Sequence, residues 1–218
     1  MVAAAVVFGF GRSYFFRIFS SSADTLTLLV HVHGALMTAW IALFLLQCFL
    51  VAVGRTDLHR RVGRIGAALV ALIFVVGVPT TVVAAKLGGH HVPGPPLSAF
   101  ALVLAGLLEF VILATLGLSY TRRGDVHKRL MLLASSPMTL AAVFRFPLAF
   151  LDSYFRIYAA NDALMLFIVT CDSIKHRRVH PAFIWGSAFV VSMQVLSFWV
   201  AGTGIWLRMA NEILHGPN

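Results

Sequence analysis

Two histidines in this chain occupy matching positions. His59 and His127 each open an apolar stretch, and each is followed by two cations, as His59-Arg60-Arg61 and His127-Lys128-Arg129. Neutral imidazole is a ligand for iron, zinc and copper, and a bis-histidine pair on neighbouring helices at equal depth is what a b-type heme requires. Arg60, Arg61, Lys128 and Arg129 are then placed to meet the heme propionates. His180 and Asp172 lie at the same level of the chain's layout. With His59 and His127 they make three imidazoles and a carboxylate, a set that zinc, iron or copper accepts. Such a carboxylate can also orient a ligating imidazole from behind. A second pair, His31 and His33, opens the stretch before His59. Two residues apart on a helix, they point nearly opposite ways, so a regular helix does not let them chelate one ion together.

These residues sit in or beside three basic segments, 54–64, 119–129 and 173–180, which hold eleven of the seventeen Lys and Arg residues. Between them the chain is almost unbroken apolar sequence. Hydrophobic residues make up 60% and charged residues 11%, where a soluble domain carries about 25% charged, and mean hydropathy is +0.90. That composition predicts a single all-α integral membrane bundle over residues 1–218. Apolar stretches at 2–20, 26–53, 64–86, 97–119, 129–151, 158–174 and 182–207 predict seven spans, with six as the alternative because Arg12 and Arg17 interrupt the first. Short basic loops stay on the cytoplasmic side. This places 54–64, 119–129 and 173–180 inside a bacterial inner membrane and the connectors at 20–24, 88–96 and 152–162 outside.

The net charge of +9 follows from that topology and from contact with anionic headgroups, and the basic residues have no soluble surface with which to bind nucleic acid. The lipid bilayer is the expected partner, with other membrane subunits beside it. A retinal protein is excluded, because 182–207 contains no lysine for a Schiff base. Cys48 and Cys171 fall inside spans and read as buried free thiols rather than a disulfide framework.

An ionisable group at mid-bilayer costs about 2.5–3.5 kcal/mol on insertion scales and is therefore a functional suspect. Glu109, Arg145, His31, His33 and Asp172 are such groups, and Arg145 is expected to reach Glu109, His33 or Asp162 across the bundle. His33, Trp40, Gln47 and Gly54 share one helix face. His127, Met131, Ser135, Met138, Ala142 and Arg145 share another, which reads as packing as readily as a cofactor wall. Pro79 and Pro137 predict kinks whose freed carbonyls nearby hydroxyls can satisfy. His176, His90 and His91 read as surface or headgroup contacts.

The segments His33-Gly34, Leu58-His59-Arg60-Arg61-Val62-Gly63-Arg64-Ile65-Gly66 and His127-Lys128-Arg129-Leu130-Met131, with Arg145, resemble a widespread bacterial multi-span family catalogued as domain of unknown function 2306. The resemblance is strongest over 26–150. It implies a membrane bundle and ranks these residues without naming a reaction. The family's layout, with histidines at span ends in a four-helix core, is similar to that of diheme b-type cytochromes. This chain lacks a second outer-leaflet histidine inside a span to partner His31 or His33.

Three functions follow as expectations. One is a redox or electron-transfer component holding heme b. Another is a zinc, iron or copper site without porphyrin. The last is a non-catalytic accessory subunit or small-molecule carrier that binds no cofactor. The chain has no His-Glu-x-x-His or Cys-x-x-Cys motif to choose between them.

Overall fold

The structure, a computed structural model, describes residues 2–16, 27–87, 95–146 and 153–216. His90, His91, Arg17, Asp152 and the connectors at 20–24 and 88–94 lie outside the described residues. Among the described residues all regular structure is helical. In chain order the helices are α1 (Val2–Phe10), continued by a π-helical turn at Gly11–Phe15, then α2 (Leu28–Ala52), α3 (Thr56–Lys86), α4 (Pro96–Ser119), α5 (Gly124–Leu133), α6 (Ser136–Val143), α7 (Tyr154–His176), α8 (Pro181–Ala201) and α9 (Gly204–His215).

Five of these, α2, α3, α4, α7 and α8, are long and apolar enough to cross a membrane. All five expose large apolar side chains on their outer faces, as Phe49, Val75, Ile112, Leu166, Val195 and Trp199 illustrate. In water such a surface would aggregate; in a bilayer it is the lipid face. The protein is a membrane-embedded helical bundle, and the expected count of seven spans is not reached by length alone. The predicted first span appears as nine α-helical residues and a π-turn. The predicted fifth span is broken into α5 and α6 at Ala134 and Ser135, because Pro137 has no N–H to continue the ladder. Pro79, by contrast, sits inside an unbroken α3. There Thr80 and Thr81 hydroxyls donate to the carbonyls of Val76 and Gly77 at 2.7 and 2.9 Å. The predicted last span stops at Ala201. Thr203 caps a separate helix, α9, that folds back over the end of α3, α4 and α8. Its Trp206 rests on Phe100 and donates to the Leu97 carbonyl at 2.8 Å.

The core runs through α2, α3, α4, α5 and α8, with Trp40, Ile73, Phe110, Leu113, Leu133 and Phe183 buried. Small residues let the helices approach. An added Cβ on Gly9 would collide with the Ala142 backbone, so α1 docks directly on α6. One on Gly34 would strike the Tyr14 ring, which ties the π-turn to α2 beside His31. The face His127–Met131–Ser135–Met138–Ala142 is thus largely a packing surface. Met131 fills the space over Gly117, and Ala142 that over Gly9. Cys48 and Cys171 are free, as expected, but exposed rather than buried. Both lie on lipid-side positions of their helices.

Candidate functional site

The three basic segments meet at one end of the bundle. His59 at the start of α3 stands against His127 at the start of α5. On the far side of α5, Arg129 reaches Asp172 of α7, and Asp125 reaches His180 at the head of α8. Residues 127 and 129 of one helix point to different neighbours, so the candidate residues fall into two groups.

The first group is His59 and His127. Their ring centres are 6.2 Å apart, with planes at 83°. Both rings are partly buried. His127 Nδ1 lies 2.7 Å from the Gly117 carbonyl oxygen. A carbonyl only accepts, so Nδ1 carries the proton and the neutral ring keeps its lone pair on Nε2. A backbone carbonyl behind a ligating imidazole fixes its tautomer and raises its basicity. His59 Nδ1 is buried with no partner among the described residues. Gln47 of α2 lies one turn deeper: its Nε2 would be 3.4 Å from a Cβ on Gly63, the residue one turn after His59. Both the Nε2 and the Oε1 of Gln47 are buried without partners. Buried polar atoms are almost always satisfied, each orphan costing about 1–3 kcal/mol. Among the described residues these three atoms have no partner, so a water or a polar ligand is needed to satisfy them.

The second group is centred on an ion pair that is fully hydrogen-bonded. Arg129 is 2% exposed. Its Nε and Nη2 donate to Asp172 Oδ2 at 2.8 and 2.6 Å, and its Nη1 donates to the Asp125 carbonyl at 2.8 Å. Lys128 Nζ stands 3.9 Å from the other Asp172 oxygen, and His176 Nδ1 donates to the Asp172 carbonyl at 2.8 Å. His180 Nδ1 accepts the Ala182 N–H, which leaves Nε2 to donate to Asp125 Oδ2 at 3.0 Å. That hydrogen bond holds the Asp125 carboxyl below the usual carboxylate range.

The expected four-ligand set of His59, His127, His180 and Asp172 is therefore not assembled. Among the described residues no three His, Cys, Asp or Glu side chains converge on one point. Both His180 nitrogens are already committed, and the Asp172 carboxylate balances a buried guanidinium. Arg129 and Lys128 likewise turn to Asp172, away from the histidine pair, which leaves the exposed Arg60 and Arg61 next to His59 in the chain.

His31 and His33 diverge as their spacing requires. Tyr14 donates to the His31 carbonyl at 3.2 Å, while His33 lies within electrostatic reach of Arg145 and keeps a buried, unpartnered Nδ1. Arg145 does not bridge to a facing acid among the described residues. Its Nη1 donates to the Ala141 carbonyl of its own helix at 2.6 Å, and its guanidinium lies 4.3 Å from the Phe10 ring centre. Glu109, 4% exposed, keeps an Oε1 with no partner among the described residues. Asp162 instead accepts from Gln194 Nε2 at 2.8 Å.

Sequence reasoning placed Gln47 on a helix face without ranking it. The available signal was an amide inside an apolar span, on the face it shares with His33 and one helix before His59. No family model, curated protein or solved structure matches the chain.

Proposed function

We propose that the protein is a membrane redox component in which His59 and His127 together ligate one metal centre, the iron of a b-type heme in the first instance. The observation that carries this reading is the ring separation of 6.2 Å with His127 Nδ1 held by Gly117. Two imidazoles on opposite sides of one metal would have ring centres about 6.4 Å apart, and about 5 Å at a tetrahedral angle, from metal–nitrogen bonds of about 2 Å and a ring radius of roughly 1.2 Å. The orphaned His59 Nδ1 and Gln47 amide fit a group that brings polar atoms to this place. Heme iron there would supply one-electron exchange between its ferric and ferrous states. The chain's own residues bind and orient: His127 offers Nε2 with its tautomer set by Gly117, His59 faces it across the gap, and Gln47 is free to donate to or accept from a bound polar group. Arg60 and Arg61 supply positive charge at the mouth, suited to propionates. The same pair supports a zinc, iron or copper ion without porphyrin, completed by ligands from water.

In this reading the basic end faces the cytoplasm of a bacterial inner membrane by the charge rule. Two further crossings are made by α1 with its π-turn and by the broken α5–α6 pair, for seven in all. The likeness of residues 26–150 to the uncharacterised multi-span family belongs to the same proposal. An absorption spectrum of detergent-purified protein, oxidised and then reduced with dithionite, tests it. A Soret band with reduced α and β bands, lost in both His59→Ala and His127→Ala, is the expected result; metal analysis identifies the non-heme variant of the reading. Colourless protein with substoichiometric metal would overturn it and leave an accessory subunit or small-molecule carrier.

A further inference from the structure

Two cavities on the other side of α5 adjoin each other. One, of about 110 Å³, is lined by Asp125, Lys128, Arg129, His176, Arg178 and His180 at the basic end. The other, of about 610 Å³, is an apolar groove between α7 and α8 that runs from Val179 and Phe183 to Asp162 and Val191. The Arg129 guanidinium, in the wall of the first, stands 5.7 Å from the ring centre of Phe183, in the wall of the second. The groove therefore begins where the basic pocket ends.

Asp172, beside the pocket, neutralises Arg129, and in the pocket wall the Asp125 carboxylate accepts from His180. Three donors remain uncommitted. Lys128 is only loosely paired at 3.9 Å, His176 has used Nδ1 alone, and the Arg178 guanidinium is engaged by no described residue. Arg177, at the left-handed φ of 54° that ends α7, turns the chain so that Arg178 joins this rim. Two fixed cations and an imidazole around a space of this size suit a tetrahedral oxyanion such as a phosphate diester. The groove below follows α7 from Ala159 to Val169, about 15 Å at 1.5 Å per residue. Its one titratable lining residue, Asp162, sits at the far end, taken up by Gln194. Charge at the membrane surface and a continuous apolar channel beneath it together match one kind of molecule.

We infer that this paired cavity binds an anionic glycerophospholipid of the adjacent leaflet, with its phosphate among Lys128, His176 and Arg178 and one acyl chain along the groove. The site is separate from the histidine pair and stands whether or not that pair holds a metal. Native mass spectrometry of the full-length protein in neutral detergent, titrated with dioleoylphosphatidylglycerol or dioleoylphosphatidylcholine, tests it. The phosphatidylglycerol adduct is expected at about tenfold lower lipid concentration, because each basic side chain favours an anionic headgroup. The double variant Lys128→Gln/Arg178→Gln should lose that preference, and Ala163→Phe, which fills the groove wall, should weaken both lipids. His59→Ala should bind as the wild type does. Circular dichroism checks that each variant is folded, and the charge variant lies at exposed positions that the fold does not need. Equal affinity for the two lipids, or a preference that survives Lys128→Gln/Arg178→Gln, would overturn the inference. So would complete displacement by sodium phosphate together with no effect of Ala163→Phe, since the pocket would then be an anion site alone.

Discussion

His127 and His180 lie at the same end of the bundle, yet their hydrogen bonds are mirror images. His127 gives its Nδ1 proton to the Gly117 carbonyl and keeps Nε2 free, beside a His59 and a Gln47 whose polar atoms are unpartnered. His180 uses Nδ1 to accept the Ala182 N–H and Nε2 to reach Asp125. Around it Arg129, Asp172, Lys128 and His176 leave little unsatisfied at the ion pair itself. One side of α5 is a closed network that holds α5, α7 and α8 together. The other leaves polar atoms of His59 and Gln47 that no described residue satisfies and that a water or a ligand can meet. A buried polar group that is satisfied argues for structure, and one that is not argues for function.

The largest expected effect is on the closed side. Asp172→Ala leaves a guanidinium that is 2% exposed without its counter-charge. It should cost about 3–5 kcal/mol, the usual result of breaking a buried pair from one partner. Thermal unfolding in detergent would show it as a large fall in Tm; an unchanged Tm would mean that the network holds nothing together.

Gly117→Ala tests the seam between the two sides. Its Cβ would lie 2.7 Å from Met131 Sδ, a flexible side chain that can give way. Overpacking of about 1–3 kcal/mol against a helix-propensity gain of about 1 kcal/mol leaves a net loss of about 1 kcal/mol. Because the Gly117 carbonyl orients His127, any spectral band of a bound centre should shift by more than this modest loss of stability suggests.

On the open side the sign reverses. Gln47→Leu removes two buried orphan atoms, so the ligand-free protein should be as stable as the wild type or up to about 1 kcal/mol more so. Ligand loading should fall at the same time. A Tm drop comparable to that of Asp172→Ala would show that Gln47 is partnered in the membrane and would dissolve the contrast.

The smallest effect is on acid stability. The His180 hydrogen bond lowers the Asp125 carboxyl below its unfolded value, so its contribution is fully present above that unfolded value, about 3.9. It fades as pH falls through the depressed folded value. Tm of wild type minus that of Asp125→Asn should shrink across that acid range and stay flat near neutrality. Asp125 is exposed, so the difference is expected to be slight.

The sequence alone determined that the chain is a helical membrane bundle, that its basic segments 54–64, 119–129 and 173–180 gather at one end, and that His59 and His127 open their helices there. Hydropathy, charge asymmetry and helical periodicity are properties of the chain itself, so length and composition suffice to read them. Tertiary structure decided the azimuth of each helix. It turned Asp172 to Arg129 rather than to the histidines, spent both nitrogens of His180, set Arg145 over Phe10, brought Gln47 beside Gly63 and broke the fifth apolar stretch at Ser135. Lipid tails are as apolar as a helix partner, so a transmembrane sequence does not mark its buried face by hydrophobicity. That face is chosen by close packing at small residues such as Gly9, Gly34 and Gly117 and by the pairing of a few polar groups, both of which depend on which neighbours the fold supplies.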